Sequence, residues 1–119
     1  MRYLVFTVLF FVITTVNASF SNKTKYEKEG DLVKVTNYHD NGSISQIGYL
    51  KNNKLHGEWI SYNENGAKQT IGNYISGKKN GKWLFWNSDN LIEAEFKNNR
   101  LIKSIKWSSD QIAEYNNTK

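Results

Sequence analysis

The chain of 119 residues has no cysteine and no proline, and only two histidines. Without cysteine it has no disulfide to offset the small core of a short domain, no thiol nucleophile and no thiolate zinc ligand. A bacterial lipid anchor beside a cleavage point is excluded for the same reason. Stability must therefore come from regular repetition or from neighbours. There is no Gly-rich phosphate loop and no serine in a nucleophile setting. Past the amino terminus, no stretch shows a long helical period. Charge is not extreme either, with 16 Lys and Arg against 11 Asp and Glu, a formal +5. The lysines are mixed with acids along the chain, which reads as a solvated surface with at most weak attraction to anionic lipid, glycan or nucleic acid.

What is present begins with "MRYLVFTVLFFVITTVNAS", one early positive charge at Arg2, an uncharged apolar run and a small-residue exit at Val16-Asn17-Ala18. That is the order of a secretory signal over residues 1–18, cleaved after Ala18. The alternative is an uncleaved anchor, although the run is shorter than the ~20 residues a spanning helix needs. Cleavage would remove Arg2, leaving 15 Lys and Arg against 11 acids, or +4. The mature protein is then expected in the periplasm or outside the cell. Residues 19–32 read as a linker.

The rest of the chain repeats itself. Residues 38–61, "YHDNGSISQIGYLKNNKLHGEWIS", align without a gap on residues 62–85, "YNENGAKQTIGNYISGKKNGKWLF", at a period of 24. Eight positions are identical: Tyr38 and Tyr62, Asn41 and Asn65, Gly42 and Gly66, Ile47 and Ile71, Gly48 and Gly72, Lys54 and Lys78, Gly57 and Gly81, Trp59 and Trp83. A third unit at 86–107 puts Trp86 in the place of Tyr62, is about two residues shorter and loses the glycines. Residues 31–38 supply half a unit at the start. Degenerate ends suit a stack, whose terminal units must not invite further copies.

Each unit reads as two strands and two turns. Asn-Gly in "DNG" and "ENG" is a strong hairpin signal because both residues tolerate positive φ. A second turn, "NNKLHG" or "SGKKNG", leads into a strand of alternating aromatics. Trp59 opposes Ile60 and Tyr62, and Trp83 with Phe85 opposes Leu84 and Trp86. In the last strand Leu101, Lys103, Ile105 and Trp107 share one side. Gly48 and Gly72 fall inside strands, where glycine marks a ring lying flat on bare backbone or a built-in bend. The expected fold is all-β: an antiparallel meander of tandem hairpins, about seven strands over residues 33–107, forming a single elongated twisted sheet. Residues 108–119 form a tail, with a short helix over "SSDQIAEY" capped by Ser or Asp.

The combination of "YxENG", the inner "IGxY" of the second unit and "G-K/E-W" after a "K-x-x-G" turn resembles MORN repeats, in the bacterial variant whose "ENG…G.Y..G...G.W..Y" units run in tandem. The likeness covers about residues 33–107. It implies a solenoid-like sheet of hairpins with a binding or scaffolding role, association with acidic membranes in some members, and an antitoxin label in many bacterial ones. "NGKWLFWNSDN" is also similar to the "GKWYYL" unit of cell-wall-binding repeats, whose aromatics hold choline or glucan. Those repeats are nearer 20 residues, so the spacing favours the first family.

Catalytic and metal-binding candidates fare poorly. His39 aligns with Asn63 and Asn87, and His56 with Asn80, so both histidines stand at positions that serve turn geometry. Zinc needs three or four converging ligands. Glu93 and Glu95 alternate on one face about 7 Å apart, a spacing paired carboxyls can use, but lysines such as Lys103 on the next strand answer them as a solvated face. No enzyme activity, metal or cofactor is expected. Lys97, Arg100, Lys103, Lys106 and Trp107 would suit a single-strand nucleic-acid platform, yet lysines on a final strand also block edge-to-edge aggregation, and nucleic acid is not expected as a partner. In the mature chain Asn-x-Ser/Thr occurs at Asn22, Asn41 and Asn116, with Asn41 already explained by its turn.

A one-layer sheet cannot bury both faces within itself. Trp59, Tyr62, Trp83, Phe85, Trp86 and Trp107 are therefore the candidates for an aromatic face that binds a protein partner or envelope component. The same rings could instead fill the sheet's concave side. Phe85 and Trp86 stand out, because Ser61 and Tyr62 hold their places one unit earlier. The alternatives are peripheral binding to anionic membrane through Lys51, Lys54, Lys78, Lys79 and Lys82, or an antitoxin or immunity role against a partner toxin.

Overall fold

The computed structural model describes residues 23–118; the expected signal segment lies outside them. They form one open antiparallel meander. Its strands are β1 (Thr24–Glu29), β2 (Leu32–Tyr38), β3 (Ile44–Lys51), β4 (Lys54–Leu55), β5 (Gly57–Tyr62), β6 (Lys68–Ile75), β7 (Lys78–Trp86), β8 (Asn90–Lys97) and β9 (Arg100–Ser108), followed by helix α1 (Ser109–Asn117). Every strand pairs with its sequence neighbour except that β3 pairs with both the two-residue β4 and β5. The expected architecture stands, with nine strands rather than about seven.

Two kinds of turn alternate along the two rims, and the sequence signals had assigned them differently. On one rim Asn52-Asn53, Ser76-Gly77 and Asn98-Asn99 have both central φ values between 49° and 83°. These are the tight two-residue turns whose twist matches that of the flanking strands. On the other rim the Asn-Gly pairs close a wider loop. His39 N–H donates to Ser43 and Asn63 N–H to Ala67, while only Gly42 and Gly66 take positive φ. This is a turn with a bulged glycine, which accounts for the register shifts at Tyr38 and Tyr62. In the third unit Asn87 N–H donates to Asn90 instead, and β7 pairs with β8 without a shift. Loss of one loop residue and one bulge shortens the first half of that unit by two residues.

Gly57 (φ 87°) and Gly81 (φ 72°) lie just past the tight turns, within β-structure, where the pairing of β6 with β7 is irregular. Such a bulge kinks the strand. Two residues further on, Trp59 and Trp83 lie over glycines of the preceding strand. A Cβ on Gly48 would stand 2.5 Å from Trp59 Cε3, and one on Gly72 would sink into the Cδ2–Cε2 edge of Trp83. The repeated strand glycines are thus flat landing sites for indoles, as their position suggested. Trp83 is 2 % exposed and its Nε1–H donates to the Asn73 carbonyl at 3.2 Å. Ala94 takes the corresponding place in the third unit and pairs with Ser104. A methyl there leaves no room for a further indole, so the Trp-on-Gly series ends.

Two expectations change. Residues 24–29, read as linker, form β1 and pair along their whole length with β2. A one-residue shift between Glu95 and Phe96 places Leu101 opposite Phe96 while Lys103 stays opposite Glu95, so Leu101 does not share a side with Lys103, Ile105 and Trp107. The expected terminal helix stands: it runs from Ser109 with Ser108 as its cap, and Gln111 Oε1 accepts the Ser108 N–H at 2.9 Å.

Candidate functional site

Strand alternation and the observed register divide the sequence-predicted residues between two faces. On the front face, Trp59, Tyr74, Trp83, Phe85 and Phe96 form one continuous cluster. Tyr74 stands edge-on to Trp59 (6.0 Å between ring centroids) and to Trp83 (5.0 Å). Phe85 stacks on Trp83 at 5.9 Å and 21°, and Phe96 meets Trp83 edge-on at 6.2 Å. Trp83 is the buried centre, and the other four rings keep part of their surface exposed.

Lys79 completes the cluster. Its Nζ lies 5.1 Å from the centroids of Trp83 and Phe96 and 5.9 Å from that of Phe85. Cations are drawn to aromatic faces within about 6 Å. The lysine comes to this face because Tyr74 and Lys79 are directly paired across the turn between β6 and β7. Tyr74 is itself half-buried, and burial holds its hydroxyl above the ordinary tyrosine range.

The remaining aromatic candidates, Tyr62, Trp86 and Trp107, alternate onto the back face. Trp86, Leu91 and Trp107 stand directly across from one another on β7, β8 and β9. Trp86 borders two shallow grooves. One is shared with Asn63, Ala67, Lys68 and Gln69 of the preceding unit, the other with Ile112, Ala113 and Asn116 of α1. The six aromatic candidates therefore form two separate surfaces, three on each face.

The middle of the back face is a largely apolar row, the buried Thr36 followed by Ile47, Ile60, Ile71 and Leu84, that runs straight across five strands and continues into Glu93 and Ile105. Beside its end Lys82, Glu95 and Lys103 are directly opposed. Glu93 pairs with Lys82 at 2.7 Å, so its answering lysine is on β7 rather than on the following strand. Hydrogen bonding and then charge attraction from Glu93 hold the Lys82 ammonium above its usual range.

Lys51, Lys54, Lys78 and Lys79 gather along the rim of tight turns, while Lys82 belongs to the back face. Asp31 takes part of the Lys51 charge at 3.4 Å. Lys97 and Arg100 flank the next turn on the same rim.

Both histidines tie successive units together. His56 Nδ1 accepts the Ser76 N–H at 3.3 Å, and Asn80 Oδ1 accepts the Asn98 N–H at 3.3 Å, one unit later. Leu55 and Lys79 carbonyls accept from Gly77 and Asn99 in the same repeated pattern. Neutral His56 thus carries its proton on Nε2. His39 Nε2–H donates to the Tyr62 carbonyl at 2.9 Å. Among the described residues, no three His, Asp or Glu side chains converge on a point that a metal could occupy.

Tyr74 and Phe96 are the site residues that the sequence reading passed over. Tyr74 was visible as the aromatic of "IGNY", and Phe96 as an alternate position of β8. Their role depended on which strand the Trp83 ring crosses. Compared with protein-family models, with curated proteins and with solved structures, the chain has no match.

Proposed function

We propose that this chain is a non-enzymatic, exported repeat module that binds a protein partner or envelope component through its front aromatic face. The observation that supports this most is the single layer. Among the described residues, only Trp83 and Ala94 are fully buried apolar side chains, and α1 borders Trp86 and residues 87–90 at one end of the sheet. Trp59, Tyr74, Phe85 and Phe96 consequently offer partly exposed ring surface around one fixed cation. Such rings supply contact area at low entropic cost, and Lys79 adds a preference for a carboxylate or sulfate next to an apolar group. The resemblance to MORN repeats favours the same kind of role.

The test is capture of partners from the protein's own envelope fraction on immobilised full-length chain, compared with Phe85→Ser. This substitution copies Ser61 of the preceding unit, so the sheet should remain folded. Loss of a specifically captured component supports the reading. Equal capture by Phe85→Ser and by Lys79→Met would rule out the front face.

One observation favours a second reading, attraction to anionic membrane. The rim of tight turns carries Lys28, Lys51, Lys54, Lys78, Lys79, Lys97 and Arg100 together with Glu29 and Asp31, seven positive charges against two negative or +5. Binding of this kind weakens with salt and needs acidic lipid. Equal sedimentation with vesicles of phosphatidylcholine alone and with vesicles that also contain phosphatidylserine would eliminate it. An antitoxin or immunity role would use the same front face with a toxin as its partner.

A further inference from the structure

We propose that the protein assembles head to tail with copies of itself, the edge strand β1 of one copy adding to the edge strand β9 of another. Among the described residues the sheet is open, so both strands carry an unpaired row of backbone donors and acceptors. On β9 every residue from 100 to 106 is exposed, with Leu101, Ile102 and Ile105 at 53, 49 and 42 %. On β1 the large exposed side chain is Tyr26, at 65 %. Helix α1 leaves this edge open. It lies against Trp86 and residues 87–90, on the inner side of β9.

Topology fixes the direction of the contact. The path from β1 to β9 contains eight strands, each antiparallel to the last. An even number leaves β9 antiparallel to β1, so a second copy placed beyond β9 continues the alternation without a reversal. Register follows from the straight row Lys25, Thr36, Ile47, Ile60, Ile71, Leu84, Glu93 and Ile105. Continuing it sets Ile105 opposite Lys25 of the next copy, Ser104 opposite Tyr26 and Lys103 opposite Glu27. The bulge that places Leu101 and Lys103 opposite adjacent residues, Phe96 and Glu95, then brings Leu101 opposite Lys28 and Arg100 opposite Glu29.

In this register the charges of β9 meet no like charge. Lys103 and Arg100 face Glu27 and Glu29, and Lys106 faces Thr24. Lys25 and Lys28 lie over Ile105 and Leu101, where their aliphatic stems cover apolar surface. The series of directly opposed charges Lys82, Glu95 and Lys103 continues into Glu27 and then Lys34, its partner on β2. Opposite charges across strands stabilise a pair and like charges oppose it. Two β9 edges would bring basic strands together, so the lysines that discourage that contact are the ones that suit β1. Glu27 already holds Lys25 at 2.9 Å and would share its carboxylate between the two copies. A contact between two different edges does not close on itself, so it builds chains rather than dimers.

The full chain and two charge-reversed variants, Lys103→Glu and Glu27→Lys, distinguish the possibilities by sedimentation velocity at low salt. Each variant brings like charges together at its own junction, but an equimolar mixture restores opposite charges at both junctions. The wild type should show a mean mass that rises with concentration without stopping at a dimer. Each variant alone should associate about tenfold more weakly, and the mixture should recover assembly. Far-ultraviolet circular dichroism checks that the variants keep the sheet. A monomeric wild type, variants that associate as the wild type does, or a mixture no better than its components would overturn the proposal. Stronger association of Lys103→Glu alone would indicate pairing of two β9 edges instead.

Discussion

Replacing Gly72 by alanine should be among the most damaging single-methyl additions in the sheet. The added Cβ would stand inside the contact distance of three Trp83 ring atoms. Because Trp83 is 2 % exposed and bounded by Tyr74, Phe85 and Phe96, the ring has no empty direction in which to move. An indole burying roughly 200 Å² contributes about 5 kcal/mol at ~25 cal/mol/Å². Re-exposing a third of it costs about 1.5 kcal/mol, and overpacking strain adds about 1–3 kcal/mol. Alanine recovers about 0.5–1 kcal/mol of the conformational entropy that glycine loses in a strand. The expected net loss is about 2–3 kcal/mol. Gly48→Ala provides the internal comparison, since it meets only the Cε3–Cζ3 edge of a half-buried Trp59 and should cost about 1 kcal/mol. Urea unfolding followed by circular dichroism measures both. In a Trp83→Leu background the Gly72→Ala loss should largely vanish. A Gly72→Ala protein as stable as wild type, or one less affected than Gly48→Ala, would refute the ring-on-glycine account.

His56→Ala and Asn80→Ala each remove an acceptor that joins one unit to the next, so each should cost about 1 kcal/mol. Amide exchange should quicken at Ser76 in the first variant and at Asn98 in the second. Burial raises the Tyr74 hydroxyl above its ordinary value of 10.0, so the folded chain holds that proton more tightly than the unfolded chain. The resulting stability is fully present below pH 10 and is lost as pH rises through the raised value. Stability followed upward from pH 9 should therefore fall less steeply in Tyr74→Phe than in wild type.

The repeat made much of this fold legible. Identical glycines, aromatics and turn residues 24 positions apart implied a meander and marked where an indole would lie on bare backbone. The same comparison assigned the histidines to turn positions, and His56 and Asn80 indeed make equivalent bonds. Signals that depend on two strands at once were not legible. Asn-Gly suggested a two-residue turn, but the glycine serves a bulge whose register is set by the partner strand. Alternation alone put Leu101 with Lys103, and a bulge at Ile102 undid it. Strand β1 is a run of alternating charges, "TKYEKE", without an apolar face, and its pairing is specified by β2 rather than by its own pattern. The aromatic candidates formed one set in sequence and two surfaces in space, because Tyr62 and Trp86 are an odd number of residues from Trp59 and Trp83.

We propose that the aromatic faces of this single-layer sheet are open to a partner, with Trp83 the one indole sealed beneath its neighbours. Acrylamide quenching of tryptophan emission in the full chain, repeated with Trp83→Phe, tests it directly. The wild type should show a mixed response, most of the emission quenched and a blue-shifted fraction protected, with the protected fraction lost in Trp83→Phe. Emission that is wholly blue-shifted and resists acrylamide would contradict it, because every indole would then be covered and no aromatic face would remain to bind.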